Sequence, residues 1–121
     1  MAAWLAAIAM GALSCAVLTA NNLRDLENDR RVGKHTLPTR LGDLHTRYFF
    51  TVLIATALMA LAASGLLISV VSLASLASAA LLVPAAAYVL QGVRGLNLVR
   101  VLRNVGLGQL IASLGLLVGA F

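Results

Sequence analysis

Apolar and polar positions fall into long separate blocks along the chain. Residues 1–20 carry no Lys, Arg, Asp or Glu, and a run of about 20 such residues is just long enough to cross a bilayer as a helix. Residues 21–47 form a polar island. Residues 48–93 again lack charge; at ~1.5 Å per residue they are too long for one crossing and must fold back once. Ser64-Gly65 and the serine-rich run 69–78 are the candidate breaks, and the turn is placed at about 65–72. A second polar stretch, 94–104, holds Arg94, Arg100 and Arg103 and no acid. The pattern predicts an all-α polytopic transmembrane bundle forming a single domain, 1–121. Its spans are expected at about 1–22, 47–65, 72–93 and 104–121, with a motif loop at 21–47 and a basic loop at 94–104.

Local signals refine this plan. Ala2, Ala3, Ala6, Ala7, Ala9, Gly11, Ala12 and Ala16 give the first span small faces for close helix approach, and Trp4 stands near its far end. The first helix is expected to run on through Asn21 and Asn22 into the Asp25–Asp29 turn, with Gly33 as its cap. Thr36 to Pro38 reads as extended, and Thr36 and Thr39 are both candidates to cap a short following helix. Val32, Leu37 and Leu41 are apolar enough to lie on the bundle as a lid. Tyr48, Phe49 and Phe50 read as an interfacial belt opening the second span. Pro84 falls inside the third. Gly115 and Gly119 form a small-xxx-small pair, read as helix packing rather than dimerisation.

Composition adds orientation. Of the 121 residues 61% are hydrophobic, with a formal net charge of +5, more apolar sequence than a soluble domain of this size buries. The positive charge sits in the two polar stretches, not along one face, which argues against nucleic-acid binding. Both stretches are Arg-rich while the intervening turn near Gly65 has no basic residue, so the positive-inside rule places both at the cytoplasmic side of the cell membrane. The single cysteine, Cys15, permits no internal disulfide and is expected to be a buried thiol. Leu13-Ser14-Cys15 is not a lipoprotein signal, because no basic residue precedes it.

The candidate chemistry lies in the polar island. All four acidic residues and six of the nine basic ones fall between positions 21 and 47. Asp25 and Asp29 are four apart, one helical turn from each other, with Asn21 a turn earlier. Mg²⁺ takes one or two carboxylates and completes its shell with water and phosphate oxygens. Arg30, Arg31, Lys34 and Arg40 follow at once and are residue types that neutralise phosphate. The combination points to a magnesium–diphosphate site at a membrane surface; the plainer alternative is a solvated connector between spans. Glu27 projects about 100° away from the Asp pair, and His35 and His45 lack metal-ligand spacing.

The run Asn21-Asn22-Leu23-Arg24-Asp25, followed by Asp29-Arg30-Arg31-Val32-Gly33-Lys34-His35-Thr36-Leu37 and Arg40-Leu41-Gly42, resembles the second aspartate-rich motif of the UbiA-type membrane prenyltransferases. Within that superfamily it is most similar to the branch acting on 1,4-dihydroxy-2-naphthoate in menaquinone biosynthesis. Arg100 to Gly106 is a weaker echo of the family's last cytoplasmic loop. The resemblance implies transfer of a polyprenyl group from polyprenyl diphosphate to an aromatic acceptor, most simply 1,4-dihydroxy-2-naphthoate, giving demethylmenaquinone. It assigns Asp25 and Asp29 to Mg²⁺, and Asn21, Asn22, Arg30, Lys34 and Arg40 to the diphosphate, with Asn28 as a further orienting amide. Asp25, Asp29, Lys34 and Arg40 would be the catalytic set, and no residue stands out as a general base.

One departure is large. Members of the family carry about nine spans and two aspartate-rich motifs, whereas four spans and one motif are expected here. The chain therefore resembles only the C-terminal part and is expected to be inactive alone. The competing reading is a non-catalytic small membrane protein, transporter-like or structural. Small multidrug exporters have this size, but they depend on an acid deep in a span, and residues 1–20, 48–93 and 104–121 hold none.

Overall fold

A computed structural model describes the backbone of residues 1–121 and the side chains of all but residues 70–73. The described chain is all-helical: α1 (Ala2–Arg24), α2 (Leu26–Arg31), α3 (Leu37–Leu41), α4 (Asp43–Ile68), a 3₁₀ segment (Val70–Ser78), α5 (Ala79–Leu90) and α6 (Leu96–Ala120). Three helices are long and apolar enough to cross a membrane, namely α1, α4 and α6, of 23, 26 and 25 residues. The α5 arm differs. Its twelve α-helical residues follow nine wound as 3₁₀, and the ~2.0 Å rise of that winding gives the pair a combined length of about 36 Å.

Each long helix buries one stripe. On α6 it is Leu98, Val101, Val105, Gly108, Ala112 and Gly115, alternating steps of three and four as a packed helix face requires. On α1 it is Ala9, Ala12, Leu13, Ala16, Ala20 and Leu23, carried on by Leu26 of α2. Phe50, Ile54, Ala57 and Leu61 of α4 complete the core with Leu82 and Val89 of α5. The most extensive packing is α1 against α4 and the 3₁₀ segment against α6. Polar bonds stitch α1 to α6: Gln109 Nε2 donates to Ser14 Oγ at 3.0 Å and Ser113 Oγ to Met10 Sδ at 3.2 Å.

Several expectations change at this level. The break after the second long helix, at Ser69 where the backbone is extended, falls inside the expected 65–72 turn and is not among these changes. The polar stretches are mostly helical, not loops. Arg100 and Arg103 lie in the first turns of α6, because Leu98, Val101 and Val105 keep a buried face there while the arginines point outward. Leu37 and Pro38 open α3 and only Thr36 is extended; Thr36 is the N-cap, and Thr39 Oγ1 accepts from its N–H at 2.8 Å. Of the expected lid, Val32, Leu37 and Leu41 are exposed and Pro38 is the buried residue. Tyr48 and Phe49 are exposed, but Phe50 is in the core. Cys15 is exposed, since it falls off the 9/12/13/16/20 register that faces inward.

Two contacts fix the architecture. Arg47, 3% exposed, forms a two-pronged pair with Asp43 (Nε–Oδ2 2.7 Å, Nη2–Oδ1 3.0 Å) and donates Nη1 to the carbonyls of Val89 and Val93 at 2.7 and 3.0 Å. It thereby ties the start of α4 to the end of α5. At the other end of the bundle a Cβ on Gly115 would collide with the backbone N of Ser75, so only glycine lets α6 approach the 3₁₀ segment this closely.

Replacing Arg47 by Met should cost about 3 kcal/mol, because it leaves a half-buried carboxylate and the Val93 carbonyl without their donor; detergent-titrated unfolding followed by circular dichroism measures this. Gly115→Val should lower the thermal midpoint in detergent, by a loss of roughly 1–3 kcal/mol, while Gly106→Ala, with no atom within 4 Å of its Cβ position, should not.

Candidate functional site

The acidic segment is a near-continuous helix with one irregular residue. Asp25 links α1 to α2 with φ −90° and ψ 3°, yet the hydrogen-bond ladder passes through it: Asp25 N–H bonds Asn21 O at 3.2 Å and Asp29 N–H bonds Asp25 O at 2.8 Å. Asn21, Asp25 and Asp29 therefore stand one above another along the backbone. Their side chains have different surroundings. Asp25 is partly exposed and paired with Arg24 (Nε–Oδ1 3.0 Å, Nη2–Oδ2 3.4 Å). Asp29 is 4% exposed, and its Oδ2 is buried with no hydrogen-bond partner. A carboxylate oxygen removed from water and left unpartnered is costly, and a cation beside it would relieve that cost.

The chain places one cation near Asp29 through backbone geometry. Gly33 adopts φ +73°, the left-handed region that glycine enters without steric penalty. Around it, Gly33 N–H bonds Arg30 O and Lys34 N–H bonds Asp29 O, at 3.3 and 2.8 Å. This is the double bond pattern of a Schellman C-cap. It folds Lys34 back over the last turn of α2 and brings Nζ to 4.0 Å from Asp29 Oδ1.

The other expected residues are less tightly gathered. Asn21 and Asn22 are partly exposed at the end of α1. Arg30 and Arg31 are exposed in the last turn of α2 and Arg40 in the last turn of α3. None of these three arginines forms an ion pair among the described residues, and Asn28, Glu27, His35 and His45 are exposed. No group of three or more His, Cys, Asp or Glu comes together among the described residues. A Mg²⁺ ion at this segment would have at most the carboxylates of Asp25 and Asp29, a number that fits an ion whose shell is completed by water and phosphate and is too few for an all-protein cage.

Reading the sequence missed a second polar cluster at the same end of the bundle. A cavity of about 190 Å³ is lined by Arg24, Glu27, Asp43, Arg47 and Arg94, with Leu23, Leu26, Gly95 and Leu98 at its walls. Arg94 Nη2 lies 4.0 Å from Asp43 Oδ1. The signal in the sequence is an acid followed four residues later by an arginine at the head of a helix, Asp43 and Arg47. This cavity also shows that the two polar stretches share one end of the bundle.

Comparison with known proteins agrees with the motif. Residues 1–118 match the UbiA prenyltransferase family. The chain is similar to 1,4-dihydroxy-2-naphthoate octaprenyltransferases: 44% identical to that of Mycobacterium tuberculosis, over 89% of this chain and 37% of the relative. It is 39% identical to that of Mycobacterium leprae, over 87% of this chain and 35% of the relative. The Escherichia coli protein is 37% identical, over 97% of this chain and 39% of the relative. The chain therefore spans less than half the length of these relatives. No solved structure gives a significant match. With the aspartate motif on α1–α2 and a bundle of long apolar helices behind it, the chain belongs to the UbiA prenyltransferase family.

Proposed function

We propose that this chain contributes one acidic half of a site that transfers a polyprenyl group from polyprenyl diphosphate to 1,4-dihydroxy-2-naphthoate, giving the prenylated hydroquinone (demethylmenaquinol), which a separate two-electron oxidation converts to demethylmenaquinone. The observation that carries the reading is Asp29. In a chain of this family, a buried carboxylate with an unpartnered oxygen lies one helical step from Asp25, with Lys34 folded back toward it. The names of its relatives support the naphthoate acceptor, and their greater length supports an incomplete site in the chain alone.

Asp25 and Asp29 would hold Mg²⁺, with Asp25 exchanging Arg24 for the ion. Bound there, Mg²⁺ supplies Lewis-acid stabilisation to a departing diphosphate. The chain's own groups do the remaining work at this end of the bundle. Lys34, held by the Gly33 cap, offers a positive charge beside Asp29, and Arg30 and Arg40 extend it toward phosphate oxygens. Asn21 and Asn22 present amide donors at the end of α1. As the allylic C–O bond breaks, charge collects on the diphosphate, and these preorganised donors favour that state over the intact substrate. The electron-rich ring attacks the allylic carbon, and loss of its carboxylate as CO₂ restores aromaticity. The excess of Arg at this end supports a site facing the cytoplasm across the cell membrane.

The test is a chimera in which residues 1–118 replace the corresponding segment of the Mycobacterium tuberculosis relative. It should transfer prenyl groups in membranes, and Asp25→Asn or Asp29→Asn should each lower turnover roughly 100-fold or more with insertion unchanged. An active chimera indifferent to both substitutions would remove the reading. The 121-residue chain alone should show no turnover. Gly33→Val in the chimera should raise the KM for polyprenyl diphosphate by displacing Lys34, a change that Arg31→Gln should not reproduce.

A further inference from the structure

A second cavity, of about 220 Å³, opens where α5 ends and α6 begins, lined by Tyr88, Gln91, Val93, Asn97 and Arg100. It lies apart from the acidic motif, and none of its residues belongs to the proposed transfer site. Two glycines with positive φ, Gly92 at +85° and Gly95 at +59°, turn the chain tightly enough to set the last turn of α5 beside the first turns of α6. Asn97 and Arg100 are three apart and share one face of α6.

The charge pattern of the two cavities is opposite in kind. In the first, Arg47 and Arg94 face Asp43, and Arg24 is engaged by Asp25. The second has no acidic residue in its lining. Arg100 forms no ion pair or hydrogen bond among the described residues, and its neighbours are two side-chain amides and a phenol, all able to donate. A guanidinium grouped with neutral donors and no carboxylate suits a phosphate oxyanion. The surroundings say which phosphate. Tyr88 is half exposed, and Leu90 and Leu96, at the two ends of the turn, are exposed apolar side chains. They stand where apolar helices give way to a polar end, the level of lipid headgroups.

We propose that this cavity binds the phosphodiester of an anionic phospholipid, with Arg100 as the charged contact and Asn97, Gln91 and Tyr88 as donors. Phosphatidylglycerol binding to the purified chain, measured by native mass spectrometry in detergent and by fluorescent-lipid titration in phosphatidylcholine nanodiscs, tests it. Arg100→Gln should weaken phosphatidylglycerol binding roughly fivefold, the size expected for one basic contact to an anionic lipid. Asn97→Leu, which keeps every charge, should also weaken it, and Arg100→Lys should restore part of the loss. Arg103→Gln, one turn on and outside the cavity, should leave binding unchanged. Equal losses from Arg100→Gln and Arg103→Gln would reduce the effect to general surface charge and overturn the proposal. So would equal binding of phosphatidylglycerol and phosphatidylcholine by the unaltered chain. Displacement of the lipid by inorganic phosphate at matched concentration would assign the cavity to a free anion instead.

Discussion

A buried guanidinium organises the polar end of this bundle. Arg47 sits at the boundary between the charged island and the long uncharged stretch, and burial there is tolerable only because its donors have partners. The two-pronged pair with Asp43 holds the first turn of α4, and the bonds to Val89 and Val93 engage one carbonyl in the last turn of α5, shared with the Gly92 N–H, and one just beyond the helix. With those two ends joined, Arg94 and the turn into α6 come within reach of the motif helix. The acidic segment thus emerges from α1 beside a fixed neighbour.

Much of this was legible in the order of residues. Uncharged blocks gave the long helices, because lipid-sized apolar runs have few other solutions. The one-turn spacing of Asp25 and Asp29 survives as a continuous ladder through Asp25, and Gly33 is indeed where the left-handed residue falls, just beyond the helix end. What escaped were features set by tertiary contact. The burial of Asp29 beside an exposed Lys34, the partnership of Asp25 with Arg24, and the role of Arg47 all depend on which helix face turns inward. Cys15 and Phe50 make the same point in opposite directions. Each lies in a run whose polarity suggested one environment, and the register of the buried stripe gave it the other.

Family membership and partial length shape the chemistry together. The relatives are more than twice as long as the matched region, while the motif brings two carboxylates and no third ligand of its kind among the described residues. Under the proposed function, two acids would be a coherent contribution to a cation shared with phosphate, and an insufficient one for a self-contained centre. Each acid has a cation from its own segment nearby, Arg24 for Asp25 and Lys34 for Asp29, so the Schellman cap places a charge beside Asp29 as well as ending the helix.

The 3₁₀ segment ahead of α5 carries a different implication. Because its nine residues rise faster than α-helical ones, rewinding them to α form would shorten that arm by roughly 4–5 Å. That is comparable to the difference in hydrocarbon thickness between thin and thick cellular bilayers. The reach of this arm therefore depends on how it is coiled as well as on how many residues it contains.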